Sequence, residues 1–225
     1  MERASNFAVR FSLLVAVCMA ALIYGVPSAS AQQQAGSNEE ACPPPQTRTN
    51  VRPDPAGTPT PVTVGVRLID LREINDVDQT ITVDLGILRT WTDMRLAHLE
   101  GCEIALDEVW DPELIARNSG RLFERWPREV SIGPNGEVRY IQRFFGTIAS
   151  YHNLHDFPFD TQSIIVQLIT LKWPDSDVQL IADETFSGMV EQLNISDWIV
   201  TSVMGKVDSQ YVKGFEGDHA RYNFE

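Results

Sequence analysis

The sequence has little of what helical proteins, enzymes and metal proteins need. Helical periodicity is nearly absent, and only residues 112–118 are compatible with a helical turn. There is no GxSxG elbow, no HExxH helix and no glycine-rich phosphate loop, and the cysteines show no CxxC or other zinc spacing. We therefore expect no enzyme activity, no cofactor and no metal site.

Basic residues are also scarce. Eighteen lysines and arginines stand against 31 aspartates and glutamates, which gives a formal net charge of −13. A chain this acidic is repelled by nucleic acid and by anionic membrane surfaces, so neither is an expected partner. The charge suits a soluble domain outside the cytoplasm.

Long apolar runs are missing once the start of the chain is set aside. Arg3 and Arg10 precede the apolar residues 11–26, and small residues follow at 29–31. This is the order of a secretory signal peptide, to which we assign residues 1–31. An uncleaved membrane anchor is the alternative, disfavoured because the run is short of the about 20 residues that a span needs.

Only three cysteines are present, which limits the possible disulfides. Cys18 lies in the predicted signal peptide and leaves Cys42 and Cys102. Export permits a disulfide between them, but the sequence does not decide whether they pair.

The segment after the signal peptide differs in composition from the rest. Residues 32–61 are rich in glutamine, proline, threonine and asparagine. Such a segment buries little apolar surface, so we predict a disordered or extended lead-in. The folded domain is expected at residues 62–225.

The folded part has the pattern of β-strands, with apolar and polar residues in alternation. Polar turns are predicted at residues 75–78 and 132–136. Strands are predicted at residues 62–68, 81–87, 137–150, 164–171, 178–181, 198–203 and from 222 onward. Strands separated by turns, without helices, indicate an all-β sandwich of two facing sheets.

One loop motif is specific enough to suggest a family. Residues 157–162 read Phe-Pro-Phe-Asp-Thr-Gln and lie just before the predicted strand at 164–171. Proline fixes φ and has no N–H to donate, so this segment turns instead of continuing a ladder. It resembles the signature loop of the pentameric ligand-gated ion channels, the Cys-loop receptor superfamily. Ser150 and Ile164 stand in place of that family's paired cysteines, as in its prokaryotic members.

Two further motifs resemble the same family and follow its order. They are Trp-Thr-Asp-x-Arg-Leu at residues 91–96, and Trp-x-Pro-Glu at residues 110–113 followed by Asn118. A buried tryptophan fills a sandwich core, and an aspartate at a strand end satisfies backbone donors or an arginine. We expect structural roles for Trp91, Asp93, Trp110 and Pro112.

The resemblance implies a fold and a function. The fold would be an immunoglobulin-like β-sandwich of about ten strands, of the nicotinic-receptor ligand-binding-domain type. The function would be that of an extracellular or periplasmic ligand-binding domain in a homopentamer. A small-molecule agonist or protons would act between neighbouring subunits and open a pore in the membrane.

The resemblance also implies where an agonist would bind. The implied ligand-binding residues are Arg117, Trp173, Tyr211, Phe215 and His219. Arg117 stands where amine-binding receptors carry an aromatic ring, and Gly86 stands at a second aromatic position. An aromatic cage for a quaternary ammonium is therefore incomplete, and a choline-like agonist is not supported. Arg117 either meets an anionic ligand or is a solvated surface charge.

Coupling to the membrane domain is implied for the signature loop and the first turn. The residues concerned are Phe157, Pro158, Phe159 and Asp160, with Asp76 and Asp78. His152 and His155 lie in the same loop and are candidate pH sensors, because histidine titrates near neutrality. A zinc site at these histidines would need further ligands that the sequence does not identify.

Two alternatives remain open at this stage. The family's transmembrane helices would follow shortly after residue 225, where the sequence ends, so we interpret the chain as a truncated receptor. The alternative is a soluble, secreted β-sandwich that binds a carbohydrate or protein and has no channel. A glycosylation sequon at residues 194–196 has meaning only in a eukaryotic secretory route.

Overall fold

A computed structural model describes residues 42–150, 161–196 and 198–225. The strands are β1 (Thr60–Asn75), β2 (Thr80–Thr92), β3 (Glu103–Ala105), β4 (Leu114–Ala116), β5 (Ser119–Glu124), β6 (Glu129–Ile132), β7 (Glu137–Ala149), β8 (Val166–Thr170), β9 (Val178–Ala182), β10 (Gly188–Met189), β11 (Gly205–Val212) and β12 (Gly217–Phe224). Short 3₁₀ turns lie at Met94–Leu99, Leu106–Glu108 and Pro134–Gly136. No helix among the described residues has the length and apolarity needed to cross a membrane.

The strands form two sheets. The larger sheet has eight strands in the order β10-β1-β2-β7-β6-β3, with β9 also on β1 and β5 also on β7. The smaller sheet has four strands in the order β11-β12-β8-β4. The predicted all-β sandwich is confirmed. The strand number is twelve in the described part, above the expected ten, because several strands of two to four residues join the sheet edges.

The core lies between the sheets, where strand alternation places apolar residues. Val62, Val64 and Val66 of β1 are fully buried, as is Tyr222 of β12 in the other sheet. Burying each such side chain contributes about 1.5–3 kcal/mol, so the pattern fixes which face of each strand points inward.

Two predictions of local structure are wrong. Residues 112–118 do not form a helical turn, since Leu114–Ala116 pairs with β8 as an edge strand. Residues 198–203 form no strand. Val200 and Val203 of that stretch still pack against the core. This packing explains why apolar and polar residues alternate there although the stretch is not a strand.

The part of the lead-in that the structure describes is tied to the sandwich. A disulfide joins Cys42 to Cys102. The buried hydroxyl of Thr49 donates to the carbonyl oxygen of Glu108 at 2.5 Å. Residues 42–59 contain no strand or helix, and these two contacts attach them to the sandwich.

Candidate functional site

Two arginines meet on the outer face of the smaller sheet. Arg117 directly follows β4, and its backbone N–H donates to the carbonyl oxygen of Gln167 at 2.8 Å. Its guanidinium donates to the side-chain oxygen of Gln210 on β11. Arg221 on β12 donates to the same oxygen at 2.9 Å. Sheet pairing therefore brings two cations to one neutral acceptor.

The two arginines differ in whether a carboxylate of the described chain neutralises their charge. Arg221 donates to both carboxylate oxygens of Asp208, at 2.8 and 2.6 Å. These hydrogen bonds hold the pKa of Asp208 below its usual value. Arg117 forms no ion pair with any described residue and is exposed. Its positive charge is available to a ligand.

His219 is a residue of β12 and pairs with Gln210 of β11 in the hairpin. It is 2% exposed, and its Nδ1 lies 2.7 Å from the carbonyl oxygen of Thr170 and 3.1 Å from that of Trp173. Carbonyl oxygens only accept, so we assign the proton to Nδ1. Nε2 is buried and has no hydrogen-bond partner in the described part of the chain. His219 thus fastens the hairpin to the segment that follows β8.

The hairpin tip carries two exposed rings. Phe215 is 55% exposed and lies edge-on to His219 with ring centroids 6.1 Å apart. Tyr211 is 63% exposed and neighbours Gln210 along β11, so it points to the opposite face of the hairpin. The structure therefore places Phe215 against His219 and His219 against the backbone of Trp173, while Tyr211 points to the other face.

Three tryptophans connect this region to the core. Trp173 packs against Trp110 at 5.7 Å between centroids, and Trp110 packs against Trp91 at 5.9 Å, both edge-on. The Nζ of Lys172 lies 5.5 Å from the Trp173 ring centroid and pairs with Glu113. The ring that would attract a ligand cation already has a cation from this chain.

Asp93, where a structural role is expected, accepts three hydrogen bonds from Arg95. The distances are 3.0 Å from the backbone N–H, 2.8 Å from Nε and 2.7 Å from Nη2. The Arg95 guanidinium also donates to the carbonyl oxygens of Arg48 and Val51. This motif therefore anchors the described part of the lead-in. Pro112, also expected to be structural, is buried.

A cavity of about 440 Å³ lies on the outer face of the larger sheet, and we call it the sheet cavity. It is lined by Thr63, Arg67, Leu88, Thr90, Glu137, Arg139, Asp183, Thr185 and Phe186. Phe186 lies on β1 so closely that a Cβ added at Gly65 would be 2.8 Å from its Cδ1. Its Cζ is 3.8 Å from where a Cβ of Gly86 would be. The Phe186 ring, which belongs to the segment after β9, thus covers Gly86, where the family resemblance implies an aromatic residue.

Two groups hold Phe186 in that position. Arg67 donates from Nε to the Phe186 carbonyl oxygen at 3.0 Å, with its guanidinium 5.5 Å from the ring centroid. Asp183 accepts from the N–H groups of Thr185 and Phe186 at 3.0 and 2.9 Å. Burial alone would raise the pKa of Asp183, but these hydrogen bonds prevail and lower it. No motif in the sequence indicates Phe186, although Gly65 and Gly86 inside two strands are a signal of such a close approach.

The turn between β1 and β2 lies beside the start of the signature loop. Asn75 and Asp78 close the turn through mutual hydrogen bonds of 2.9 and 3.1 Å. Val77 at its tip is 94% exposed. The N–H of Ser150 donates to the carbonyl oxygen of Gln79 at 2.9 Å. Asp76 lies in the same turn, while Phe157, Pro158, Phe159, Asp160, His152 and His155 lie outside the described residues.

Asn118 links the strands on either side of that loop. Its side-chain nitrogen donates to the carbonyl oxygens of Ala149 and Ile165, at 3.0 and 2.6 Å. Its side-chain oxygen accepts from the N–H of Gln167 at 3.1 Å. The Asn118 side chain therefore joins the end of β7 to the start of β8. In the sequence, only the place of Asn118 in the second motif indicates such a role.

Among the described residues, no group of three or more histidine, cysteine, aspartate or glutamate side chains is arranged to hold a metal ion. Guanidinium and aromatic groups are present on both surfaces, and the sheet cavity also has two carboxylates in its lining.

Comparison with known proteins agrees with the motifs. A family model described as the neurotransmitter-gated ion-channel ligand binding domain matches residues 47–222. A proton-gated ion channel of Gloeobacter violaceus is 26% identical over 160 residues, which are 68% of this chain and 45% of that protein. The gamma-aminobutyric acid receptor subunit theta of Mus musculus is 29% identical over 152 residues, 59% of this chain and 24% of that protein. The chain spans less than half the length of either relative.

The fold has a solved counterpart. The crystal structure of AChBP from Bulinus truncatus aligns with a TM-score of 0.65 and 14% identity, over 78% of this chain and 90% of that one. At this identity the likeness shows the sandwich fold alone. The family model covers well over half of the sequence, and the protein therefore belongs to the neurotransmitter-gated ion-channel ligand-binding domain family, as its motifs predicted.

Proposed function

We propose that this chain is the exported ligand-binding domain of a homopentameric ligand-gated ion channel of prokaryotic type. Its family consists of ligand-gated channel and binding domains and not of enzymes. The observation that carries the proposal is that two surfaces with arginine and aromatic side chains lie on different sheets of one sandwich. We call Arg117 of the sheet edge, with Gln210 and Arg221 of the β11–β12 hairpin and the tip of that hairpin, the hairpin site. In a ring, the hairpin site of one copy faces the sheet cavity of the next, and the agonist binds between them.

The charges of the hairpin site favour a ligand with a carboxylate. Arg117 has no carboxylate partner in the described chain and shares the oxygen of Gln210 with Arg221. A carboxylate can replace that amide oxygen and accept two parallel hydrogen bonds from a guanidinium. Lys172 already covers the Trp173 ring, so a quaternary ammonium has no free aromatic face there.

Signal transfer is proposed to run through the end of the sandwich where the signature loop begins. Ser150 is bonded to the β1–β2 turn, and Asn118 joins the two strands that flank the loop. A shift of either sheet therefore moves the loop. Val77 offers an exposed apolar side chain at this end for contact with a membrane domain. His152 and His155 remain the candidate sensors if protons are the agonist.

The ligand proposal is tested by calorimetric titration of the purified chain with acetate, succinate, glutamate and γ-aminobutyrate. We expect at least one of these carboxylates to bind, and Arg117→Gln to weaken its binding by about tenfold or more, as loss of a charge-assisted pair does. Lys206→Gln is the matched control, because it removes the same charge from an exposed position of β11. Equal affinity of the Arg117→Gln and wild-type chains, or no binding of any carboxylate, would contradict the proposal.

A further inference from the structure

Another cavity lies beside the second motif, apart from the hairpin site and the sheet cavity. Its volume is about 430 Å³, and we call it the motif cavity. A volume of this size is within the range of small-molecule sites in proteins. The residues that line it are Asn50, Leu106, Asp107, Val109, Trp110, Asp111, Glu113, Arg128 and Lys172. None of them lines the sheet cavity or belongs to the hairpin site.

Backbone contacts hold the walls of the motif cavity together. The N–H of Leu106 donates to the carbonyl oxygen of Arg128 at 2.9 Å, which joins a 3₁₀ turn to the segment between β5 and β6. The hydroxyl of Thr49 donates to the carbonyl oxygen of Glu108 in the same turn, and the next residue of the lead-in is Asn50. The cavity is therefore formed in the chain before a ligand arrives.

The floor of the motif cavity is apolar but contains one polar atom without a partner. Leu106, Val109 and Trp110 are 3%, 3% and 2% exposed. The Nε1 of Trp110 is buried and has no hydrogen-bond partner in the described part of the chain. A buried N–H without an acceptor is unfavourable. A ligand with both an apolar body and an oxygen acceptor suits this floor better than a hydrocarbon does.

Two of the three carboxylates in the lining are already neutralised. Asp111 accepts a hydrogen bond from Nη1 of Arg89 at 2.5 Å, and both side chains are largely buried. Glu113 forms an ion pair with Lys172 across the lining. A charged group of a ligand would have to displace these partners, so these carboxylates are not the strongest attachment points.

One carboxylate and one guanidinium of the lining remain available to a ligand. Asp107 is exposed and forms no ion pair with a described residue. The ion pair of Arg128 with Glu124 is 3.5 Å long and exposed, a geometry that contributes little. Asp107 and Arg128 do not pair with each other, although the hydrogen bond of Leu106 joins their segments. The rim thus presents a free negative group and a free positive group.

We propose that the motif cavity binds a small zwitterion with an apolar body, the chemistry of an amino acid with an apolar side chain. The ligand's ammonium pairs with Asp107, and its carboxylate accepts from the guanidinium of Arg128, which can donate two parallel hydrogen bonds. Its apolar body lies on the floor around Trp110. A metal ion does not fit, because no group of three acidic, histidine or cysteine side chains among the described residues is arranged to hold one. The inference goes beyond the proposed function, since this site lies within one chain and needs no ring.

Calorimetric titration of the full chain with L-leucine and L-phenylalanine tests the site. We expect at least one of the two to bind. Glycine, which lacks the apolar body, should bind at least about fivefold more weakly. The amide of the amino acid lacks the carboxylate and its N-acetyl derivative lacks the ammonium, so each of these should also lose about fivefold or more.

Two substitutions assign the charges of the ligand to the rim. Arg128→Gln should weaken binding of the amino acid at least about fivefold and leave the affinity for its amide unchanged, because the amide has no carboxylate. Asp107→Asn should weaken the amino acid equally and leave the N-acetyl derivative unchanged. Arg125→Gln and Glu108→Gln are the matched controls, because they remove the same charges from neighbouring exposed positions outside the lining. Circular dichroism checks that each variant is folded.

Three outcomes would overturn the inference: neither amino acid binds, the derivatives bind as tightly as their parent, or the controls weaken binding as much as the rim substitutions do. The variant Arg117→Gln separates this site from the hairpin site. Amino-acid binding that persists in that variant belongs to the motif cavity, whereas binding that is lost belongs to the hairpin site and contradicts the inference. If acetate, succinate, glutamate and γ-aminobutyrate all fail to bind, the proposed ligand of the hairpin site is lost and the motif cavity is unaffected.

Discussion

At the scale of single residues, one buried carboxylate fixes the segment that follows β10. Asp70 is buried, and its two oxygens accept from the backbone N–H and the side-chain nitrogen of Asn194 at 2.9 and 3.0 Å. Arg72 lies 3.0 Å from the same carboxylate. The side-chain nitrogen of Asn194 is also the atom to which a glycan would be attached in the sequon, so a glycan would replace one of the two hydrogens of this donor.

The pKa of Asp70 turns this contact into a pH dependence. Burial alone would raise the pKa, but the hydrogen bonds from Asn194 and the charge of Arg72 prevail and lower it. The folded chain then holds the ionised form more tightly than the unfolded chain does. The resulting stability is complete above about pH 4, the ordinary value, and is lost as the pH falls through the lowered pKa.

Asn194→Ala tests this dependence. We expect it to lower the free energy of unfolding by about 1–3 kcal/mol at pH 7, because Asp70 loses a donor while buried. The difference from the wild type should shrink as the pH falls below about 4 and the carboxylate is protonated. Urea unfolding of the wild type and the variant at pH 7 and at pH 3 measures the difference in the free energy of unfolding at each pH. Asp70→Asn is the control, because it lacks the titrating group. A variant as stable as the wild type at pH 7 would contradict the assignment.

Residue chemistry could be predicted from sequence only where a motif carries it. The place of Arg117 in the second motif left two roles open, contact with an anionic ligand or a solvated surface charge. Its sharing of Gln210 with Arg221 could not be foreseen, since that depends on the register of β11 with β12. Phe186 was missed because its place over Gly65 is set by a loop with no periodicity.

At the scale of elements, long strands were predictable and short ones were not. β1, β2 and β7 are 13 or more residues long, and each contains a stretch in which apolar and polar residues alternate with the period of two. β4 has three residues and exists only because β8 offers it a partner. Tertiary pairing of this kind leaves no local pattern in the sequence.

The lead-in shows the limit of composition as a guide. Proline and polar residues indicate a segment without a core of its own, and residues 42–59 indeed have no regular structure. Their attachment comes from the disulfide and from Arg95, which donates to two of their carbonyl oxygens. Neither contact requires apolar residues in the segment itself.

Replacing both Cys42 and Cys102 by serine tests this attachment. The disulfide closes a loop between positions 60 apart, so its loss should lower the free energy of unfolding by about 2–4 kcal/mol. Residues 42–59 should then become sensitive to proteases under native conditions. Adding reductant to the wild type should have the same effect and none on the variant. Equal stability and equal protease resistance of the two proteins would show that the other contacts suffice.

At the scale of the whole molecule, the hairpin site and the sheet cavity are each open and incomplete. The first offers unpaired positive charge and exposed rings, and the second offers Arg67, Arg139 and the Phe186 ring on a different sheet. Neither encloses a ligand by itself. A ring that repeats one contact would join them at every interface, which is the arrangement that the proposed function requires.

The most direct test joins Phe215→Cys at the hairpin tip with Thr185→Cys at the sheet cavity in one chain. Both positions are exposed. Treatment with a short bis-maleimide, followed by denaturing electrophoresis, counts the copies linked through these two surfaces. The account predicts a ladder that ends at five, with neither single-cysteine variant passing two. A double variant that gives no more products than the single variants, or a ladder that ends at another number, would contradict the pentameric ligand-binding ring.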